Sequence, residues 1–363
     1  MKEVLKIRNI LYLGFALLLA GCSGDEIATG DSRDDKGFDP VGKPVLFSVG
    51  LEAQATTRTA SNMDDGRFVC TMYYHSAIGD TDDSNYDLST SLISTAWLEV
   101  SGDDGNVVYM NSSFNDAGTP FYWKNRLKHA FLAIADNNQL TSTTAQPIYN
   151  SDNDDFTNEY DLRRGGLTSI AGQPDPILAL TEFKPVGNAE GPVWNETAQA
   201  ANRVTLNFKH QFSLIQVNVK NADNGSVDLT SKIKKVELLG VTTEGYVFSR
   251  INADGTVDAS TYKNVDNSTS FEMFSTTAAD GFLGSYNAIA FGHLYAIRVS
   301  WYEGTAEEPV VTHTPTLVVN ENLVSGKRYI FNLSLSRGSL NVINTNIVDW
   351  ALIEYNLNAS IIN

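Results

Sequence analysis

The sequence predicts an all-β protein with two tandem β-sandwich domains, which follow an N-terminal signal segment and a short tether. Three observations predict this fold class. Short runs of alternating apolar and polar residues recur from residue 44 onward, while helical periodicity is almost absent. Phenylalanine and tyrosine, which favour strands, number 17 and 15. A chain of 363 residues is also long enough for two domains.

The overall charge excludes one large class of partners. The net charge is −17. Because such a chain repels phosphate backbones, nucleic acid is not an expected partner. An acidic surface instead suits a soluble extracellular protein. The two cysteines, Cys22 and Cys70, stand in different surroundings, so we expect no disulfide between them.

Residues 1–21 have the pattern of a lipoprotein signal peptide. Lys2, Lys6 and Arg8 precede an apolar run from Ile10 to Ala20, which is too short to span a bilayer comfortably. The run leads into "LAGC", which resembles a bacterial lipobox ending at Cys22. We expect the Cys22 thiol to be lipidated and to anchor the protein in the outer membrane through its acyl chains, palmitate among them. The alternative is an ordinary signal peptide beside a chance cysteine.

The chain after Cys22 begins with a flexible segment and continues into the first predicted domain. Residues 22–43 are polar, acidic and rich in glycine, which is typical of a tether. The first β-sandwich is predicted over residues 44–200. Its first strand, "VLFSVGLE", places four apolar side chains on one face: Val45, Phe47, Val49 and Leu51. The next apolar strand contains Cys70, which we interpret as a buried core thiol.

The second β-sandwich is predicted over residues 201–363. Val204, Leu206 and Phe208 alternate with polar residues, and the phase of the alternation slips near His210. We interpret that slip as a β-bulge. Later runs, such as "GKRYIFNLSLS", alternate without interruption and predict further strands.

The C-terminal segment "ALIEYNLNASII" continues the alternation almost to the last residue, although domain ends usually become polar and irregular. Its apolar face would present Ile353, Tyr355, Leu357, Ala359 and Ile361. Two interpretations stay open. The segment is a strand of its own domain, or it adds to a neighbouring molecule as a donor strand.

Arg58 lies in the soft linker "AQATTRTAS", directly behind the first predicted strand. A trypsin-like cut between Arg58 and Thr59 would separate that strand from the domain. The loss would expose unpaired backbone groups and an apolar slot, which another strand would have to fill. The C-terminal segment of a second subunit has the required pattern. Because this head-to-tail contact does not close on itself, it would build a filament. The alternative is a linker arginine without a role.

With these residues in view, the sequence resembles the fimbrillin family of Bacteroidetes, the pilins and related fimbrial proteins of that phylum. The resemblance covers most of the chain. It is carried by the lipobox at Cys22, by the first strand with Thr57-Arg58-Thr59, and by "FYWKNRLKHAFLAIAD", "VTLNFKHQFSLIQVNV", "KKVELLGV" and "LVSGKRYIFNLSLS" followed by "NIVDW". Each motif is loose alone, while their order and spacing together are fairly specific.

The resemblance implies a fold and a function. It implies two transthyretin-like β-sandwiches, export as a lipoprotein, and cleavage by an arginine-specific surface protease at the position of Arg58 and Thr59. The first strand, Val45 to Glu52, would then be displaced, and the region from Ile347 onward would be the donor. The partners would be other fimbrial subunits, in fimbriae that mediate adhesion and biofilm formation. Anchor and tip subunits of such fimbriae depart from this scheme, and the sequence leaves both roles open.

No catalytic, metal or cofactor motif is evident, so the sequence predicts a protein that is not an enzyme. The five histidines are far apart, and no nucleophile elbow or phosphate loop occurs. The acidic run around Asp152 and Glu159 has threonine where a calcium loop needs glycine. A second hypothesis is a glycan-binding surface lipoprotein that does not polymerise. It requires exposed coplanar tryptophans among Trp97, Trp123, Trp194, Trp301 and Trp350.

Overall fold

Nearly all regular structure in the computed structural model is β-strand, which confirms the all-β prediction. The structure describes residues 37–50, 67–75, 86, 93–101, 106–136, 157–162, 169–188, 193–222, 232–248, 250–259, 261–262, 266–304, 309–336 and 339–350. Within these ranges no helix is long and apolar enough to cross a bilayer. Cys22, Arg58, Thr59, Leu51 and the predicted donor residues lie outside the described residues.

Nine strands are described between Leu46 and His210. In order they are β1 (Leu46–Gly50), β2 (Arg67–Tyr74), β3 (Ile93–Ser101), β4 (Asn106–Met110), β5 (His129–Asp136), β6 (Thr157–Asp161), β7 (Pro176–Phe183), β8 (Arg203–Asn207) and β9 (Lys209–His210). A 3₁₀ turn spans Ile170–Gly172, and the short helix α1 spans Glu196–Ala201.

The strands of the second half follow without any helix among the described residues. They are β10 (Ser213–Asn221), β11 (Ile233–Leu239), β12 (Glu244–Phe248), β13 (Thr261–Tyr262), β14 (Ser270–Glu272), β15 (Phe274–Thr276), β16 (Gly284–Ala290), β17 (His293–Gly304), β18 (Pro309–His313), β19 (Thr316–Asn322), β20 (Lys327–Leu335) and β21 (Leu340–Asp349).

The first sheet has eight strands in the order β8-β1-β4-β3-β2-β5-β7-β9. It curls over on itself, because β8 and β9 are separated by Phe208 alone yet pair with β1 and β7 at opposite ends of the order. The Thr181 hydroxyl on β7 also donates to the Thr205 carbonyl on β8, at 2.8 Å. The curled sheet encloses an aromatic core that includes Phe47, Trp123 and Phe131.

Two further five-stranded sheets face each other around a second core. One has the order β15-β16-β10-β20-β21, and the other has the order β14-β11-β17-β18, with β19 also pairing with β17. Val217 from the first of these sheets and Val236 and Trp301 from the second are fully buried in the same cluster. A small sheet, β13-β12-β6, joins a strand of the first half to two of the second.

Strand β2 separates the two cores. Phe68 and Cys70 belong to the first core, whereas Val69 belongs to the second. Burial on both faces explains why this strand is a nearly continuous apolar run. The Cys70 side chain is wholly buried, as predicted, and burial raises the pKa of its thiol well above the usual range.

The chain passes from the first core to the second between Phe208 and Phe212, which belong to the first and second clusters respectively. The phase slip near His210 therefore reflects a change of sheet, because β9 ends at His210 and β10 begins at Ser213. The predicted bulge at this position is wrong. The predicted domain boundary at residue 200 lies before this crossing, and β8 and β9 belong to the first sheet. The assignment of the two cores to separate domains stays a prediction.

Candidate assembly site

Strand β1 lies between two other strands, so its backbone is paired on both sides. It runs parallel to β8, with Leu46 opposite Arg203 and Gly50 opposite Asn207. Its other edge pairs with β4 in the antiparallel sense at Ser48 and Asn106. Removing β1 would therefore leave a row of unpaired backbone groups along β8 and an unpaired position at Asn106 of β4.

The residues just before β1 are held by backbone hydrogen bonds to a single segment. The amides of Gly42 and Val45 donate to the carbonyls of Trp123 and Phe121, both at 2.8 Å, and the Trp123 amide donates to the Lys43 carbonyl at 3.0 Å. The paired segment thus begins several residues before the strand itself.

The predicted core face of β1 is confirmed for its described residues. Val45 and Phe47 are 0% and 1% exposed, and Val49 packs against the first core. The Phe47 ring lies 5.2 Å from Phe131, 6.1 Å from Tyr109 and 6.2 Å from Phe121, between ring centroids. Burying a side chain of this size contributes about 1.5–3 kcal/mol. Loss of β1 would open an aromatic pocket.

Two side chains of the neighbouring strands bind the β1 backbone. The Tyr109 hydroxyl donates to the Val45 carbonyl at 2.8 Å, and the Arg203 guanidinium donates to the Phe47 carbonyl at 3.3 Å. Burial raises the pKa of Tyr109 far above its ordinary value, so the hydroxyl keeps its proton and stays a donor. Sequence reasoning missed both residues, because an alternating strand pattern does not reveal which carbonyl a side chain reaches.

The first residues of the predicted donor region belong to the last strand, β21. Ile347 and Val348 lie in β21 and pair with Tyr329 and Arg328 of β20 in the same molecule. Trp350 follows and is 5% exposed. Its ring stacks on His210 with centroids 3.7 Å apart, and its amide donates to the Gly326 carbonyl at 2.7 Å. A donor region that begins at Ile347 stays a prediction, and its first residues pair within their own molecule in this structure.

His210, on which the Trp350 ring stacks, has a carboxylate partner. His210 Nδ1 lies 2.9 Å from Asp175 Oδ1, and both side chains are buried. No group of three histidine, cysteine, aspartate or glutamate side chains lies close enough to hold a metal ion within the described ranges. The arrangement around His210 packs the end of β21 against the first sheet.

With this geometry in view, comparison with known proteins identifies a relationship. Residues 193–350 match the protein family described as fimbrillin-like. The matched part covers fewer than half of the 363 residues and extends from just before α1 to Trp350. It agrees with the predicted resemblance for the motifs that lie within it. The sequence has no significant match among curated proteins.

Solved structures share the fold. A candidate cell adhesion protein from Bacteroides ovatus aligns with a TM-score of 0.54 at 15% identity, covering 85% of this chain and 98% of that one. A second candidate cell adhesion protein, from Bacteroides uniformis, aligns with a TM-score of 0.51 at 12% identity, covering 88% and 100%. At these identities the similarity concerns the fold alone.

Proposed function

We propose that this protein is a structural subunit of a fimbria. In this proposal it is exported as a lipoprotein through Cys22, cut between Arg58 and Thr59 by an arginine-specific surface protease, and assembled by strand exchange. The fimbria would mediate adhesion and biofilm formation from the outer membrane. The role is assembly and not catalysis. Its partners are other fimbrial subunits, and it needs no cofactor or metal.

The placement of β1 is the observation that carries the proposal. Its neighbours recognise it through groups that every strand possesses. The hydrogen bonds to this segment are made with its main-chain atoms. They come from backbone pairing with β8 and β4 and from the side chains of Tyr109 and Arg203. A different strand in the same slot could accept the same bonds. Only the pockets for Val45 and Phe47 depend on side-chain identity.

The C-terminal segment has side chains that suit those pockets. Over residues 45–49 the core-facing residues recur every second position, with a large aromatic ring, Phe47, between Val45 and Val49. In the C-terminal segment Tyr355 lies between Ile353 and Leu357 with the same spacing. Because the aromatic residue is central in both triplets, Tyr355 would enter the Phe47 pocket whichever way the donor strand runs.

Cleavage after Arg58 explains how the slot becomes available. While residues 51–66 join β1 to β2, β1 rebinds as part of the same molecule, at an effective concentration of order millimolar. A donor from another subunit competes poorly against such a neighbour. After the cut, β1 is a separate fragment that can diffuse away. Cys22 lies on that fragment, so one cut both opens the slot and releases the subunit from its lipid.

The glycan-binding alternative lacks its main support. Trp123, Trp301 and Trp350 are 1%, 0% and 5% exposed. Trp97 packs against the second core, and Trp194 is half-buried against the Phe38 ring. All five tryptophans lie within the described ranges, and none offers an exposed platform on which a sugar could stack.

A pair of variants in the C-terminal segment tests the proposal. Tyr355→Ala is expected to raise the protein concentration at which cut subunits assemble by about 30-fold to 1,000-fold, the equivalent of losing a central anchor worth about 2–4 kcal/mol. Asn356→Ala, on the opposite face, is the matched control and should change that concentration less than about threefold. Sedimentation of cut protein over a concentration series measures both. Equal effects of the two variants would contradict the proposal.

A further inference from the structure

Strand β21 is an edge strand with an unusual exposure pattern. Within the described part of the chain it is the last strand of its sheet and pairs with β20. Leu340 is buried, but every residue from Asn341 to Asp349 is exposed. Long exposed edges with apolar side chains attract further strands, and proteins usually cover or charge them.

The core-facing side of β21 continues an apolar surface and leaves it half-exposed. Val342 lies opposite Leu333, and Ile347 lies opposite Tyr329. The two β20 side chains are 0% and 1% exposed, whereas Val342 and Ile347 are 47% and 51% exposed. The second core therefore ends in a strip of half-exposed aliphatic groups along β21, and a strand beside β21 would cover that strip.

The other side of the same sheet carries a ladder of side-chain amides that leads to this edge. Ser285 of β16 donates to Asn218 of β10 at 2.7 Å, and Asn218 donates to Asn332 of β20 at 2.8 Å. Asn332 then donates to the Asn344 side-chain oxygen on β21 at 2.6 Å. Each amide accepts from one strand and donates to the next. The two N–H donors of Asn344 are the next in this series, so another amide oxygen would extend the ladder.

The edge of β21 would therefore fit a strand that has apolar residues on one face and asparagines on the other. The segment that follows Trp350 has this pattern. Ile353, Tyr355 and Leu357 alternate with Glu354, Asn356 and Asn358. Trp350 itself stays within hydrogen-bonding reach of Gly326, at the end of the β20–β21 pair. A chain that reverses direction just after Trp350 would run along the free edge.

The pairing of β20 with β21 determines which register fits. The bond from the Trp350 amide to Gly326 continues the register that places Asp349 opposite Lys327. In antiparallel pairs, bonded positions alternate, so Thr345 and Ile347 turn their backbone groups to the edge away from β20. The apolar residues of the C-terminal segment lie beside Ile347 only if odd-numbered residues of the segment pair with odd-numbered residues of β21.

We propose that residues 353–358 of the unassembled chain pair antiparallel with the free edge of its own β21. A three-residue turn at 350–352 is the shortest that keeps β21 intact and matches the faces. It places Tyr355 beside Ile347, Asn356 beside Asn346, and Asn358 beside Asn344. One part of this inference rests on the proposed function: the edge holds the donor strand before assembly. The slot of another subunit then competes with this edge for the donor strand.

Engineered cysteines test the register. The full chain carries Cys22→Ser, so the fully buried Cys70 is its remaining natural thiol. Asn346→Cys is combined with Asn356→Cys, which would form a non-hydrogen-bonded pair with Cα atoms about 4.5 Å apart, within the range of a disulfide. The control combines Asn346→Cys with Leu357→Cys, which lies one residue further along and on the opposite face.

The expected result is an intrachain disulfide that forms on the order of tenfold faster in the 346/356 pair than in the control under mild oxidation, because the paired thiols are held together. Mass spectrometry of tryptic peptides identifies the bond. Equal rates in the two pairs, or the absence of an intrachain bond, would overturn the inference. Crosslinks between chains would also overturn it, because a second copy would then occupy the edge.

A second step separates this inference from the proposed function. After cleavage at Arg58, the oxidised 346/356 chain should remain unassembled, and reduction should restore assembly. If the disulfide forms as expected but the oxidised chain assembles equally well, the edge pairing stands and the donor role fails. If the reduced chain assembles but no intrachain disulfide forms, the donor role stands and the edge pairing fails.

Discussion

Replacing Arg58 by alanine is expected to abolish assembly and to leave the chain anchored through Cys22. The physical reason is the tether of residues 51–66, which keeps β1 at an effective concentration of order millimolar beside its own slot. The slot then stays filled by the strand that already makes its backbone bonds. N-terminal sequencing after treatment with an arginine-specific protease, followed by electron microscopy, measures both effects. Wild-type protein should yield a core that begins at Thr59, together with filaments.

Arg33→Ala provides the matched control for this variant. Arg33 lies in the predicted tether, ahead of the paired segment that begins near Gly42. A cut there would release the lipid but would leave β1 in its slot. Loss of that site should therefore leave cleavage at Arg58 and assembly unchanged. Filaments formed by the Arg58→Ala chain would rule out cleavage as the step that opens the slot.

Phe47→Ala is expected to lower the free energy of unfolding of the uncut chain by about 3–5 kcal/mol, the usual cost of deleting a buried aromatic side chain. The side chain is 1% exposed and contacts three aromatic rings, so its neighbours have little freedom to fill the space. Denaturation with urea, followed by tryptophan fluorescence, measures the change.

Ser48→Ala is the control for Phe47→Ala on the same strand. The Ser48 hydroxyl lies on the other face of β1, 3.1 Å from the Thr205 hydroxyl. Its loss should change the free energy of unfolding by about 1 kcal/mol or less. If Phe47→Ala destabilised the chain no more than Ser48→Ala, the Phe47 pocket would not be the anchor of β1.

Alternation along the sequence predicted which faces of strands are buried, and β1 is an example. Val45 and Phe47 face the core because side chains on a strand alternate, and this holds whatever the partner strand is. The partner itself could not be predicted. Ser48 meets Thr205, which is 157 residues away, and the same pattern would suit any open edge.

The same limit applies at the end of the chain and near His210. Ile347 and Val348 alternate as a donor strand would, yet they pair with β20 of their own molecule. The phase slip at His210 has the signature of a bulge, but it marks the passage between two sheets. The stacking of Trp350 on His210 joins positions 140 residues apart through the fold, and no local pattern indicates it.

The central claim is that the C-terminal segment can replace β1 in its slot. The direct test uses a chain that is cut after Arg58 and ends at Trp350, so that it lacks a segment of its own to donate. A synthetic peptide of residues 351–361 is added, and native mass spectrometry follows the bound species. The account predicts loss of the fragment that contains β1 and binding of one peptide per subunit. Retention of the fragment with no peptide bound, at peptide concentrations up to about 1 mM, would contradict it.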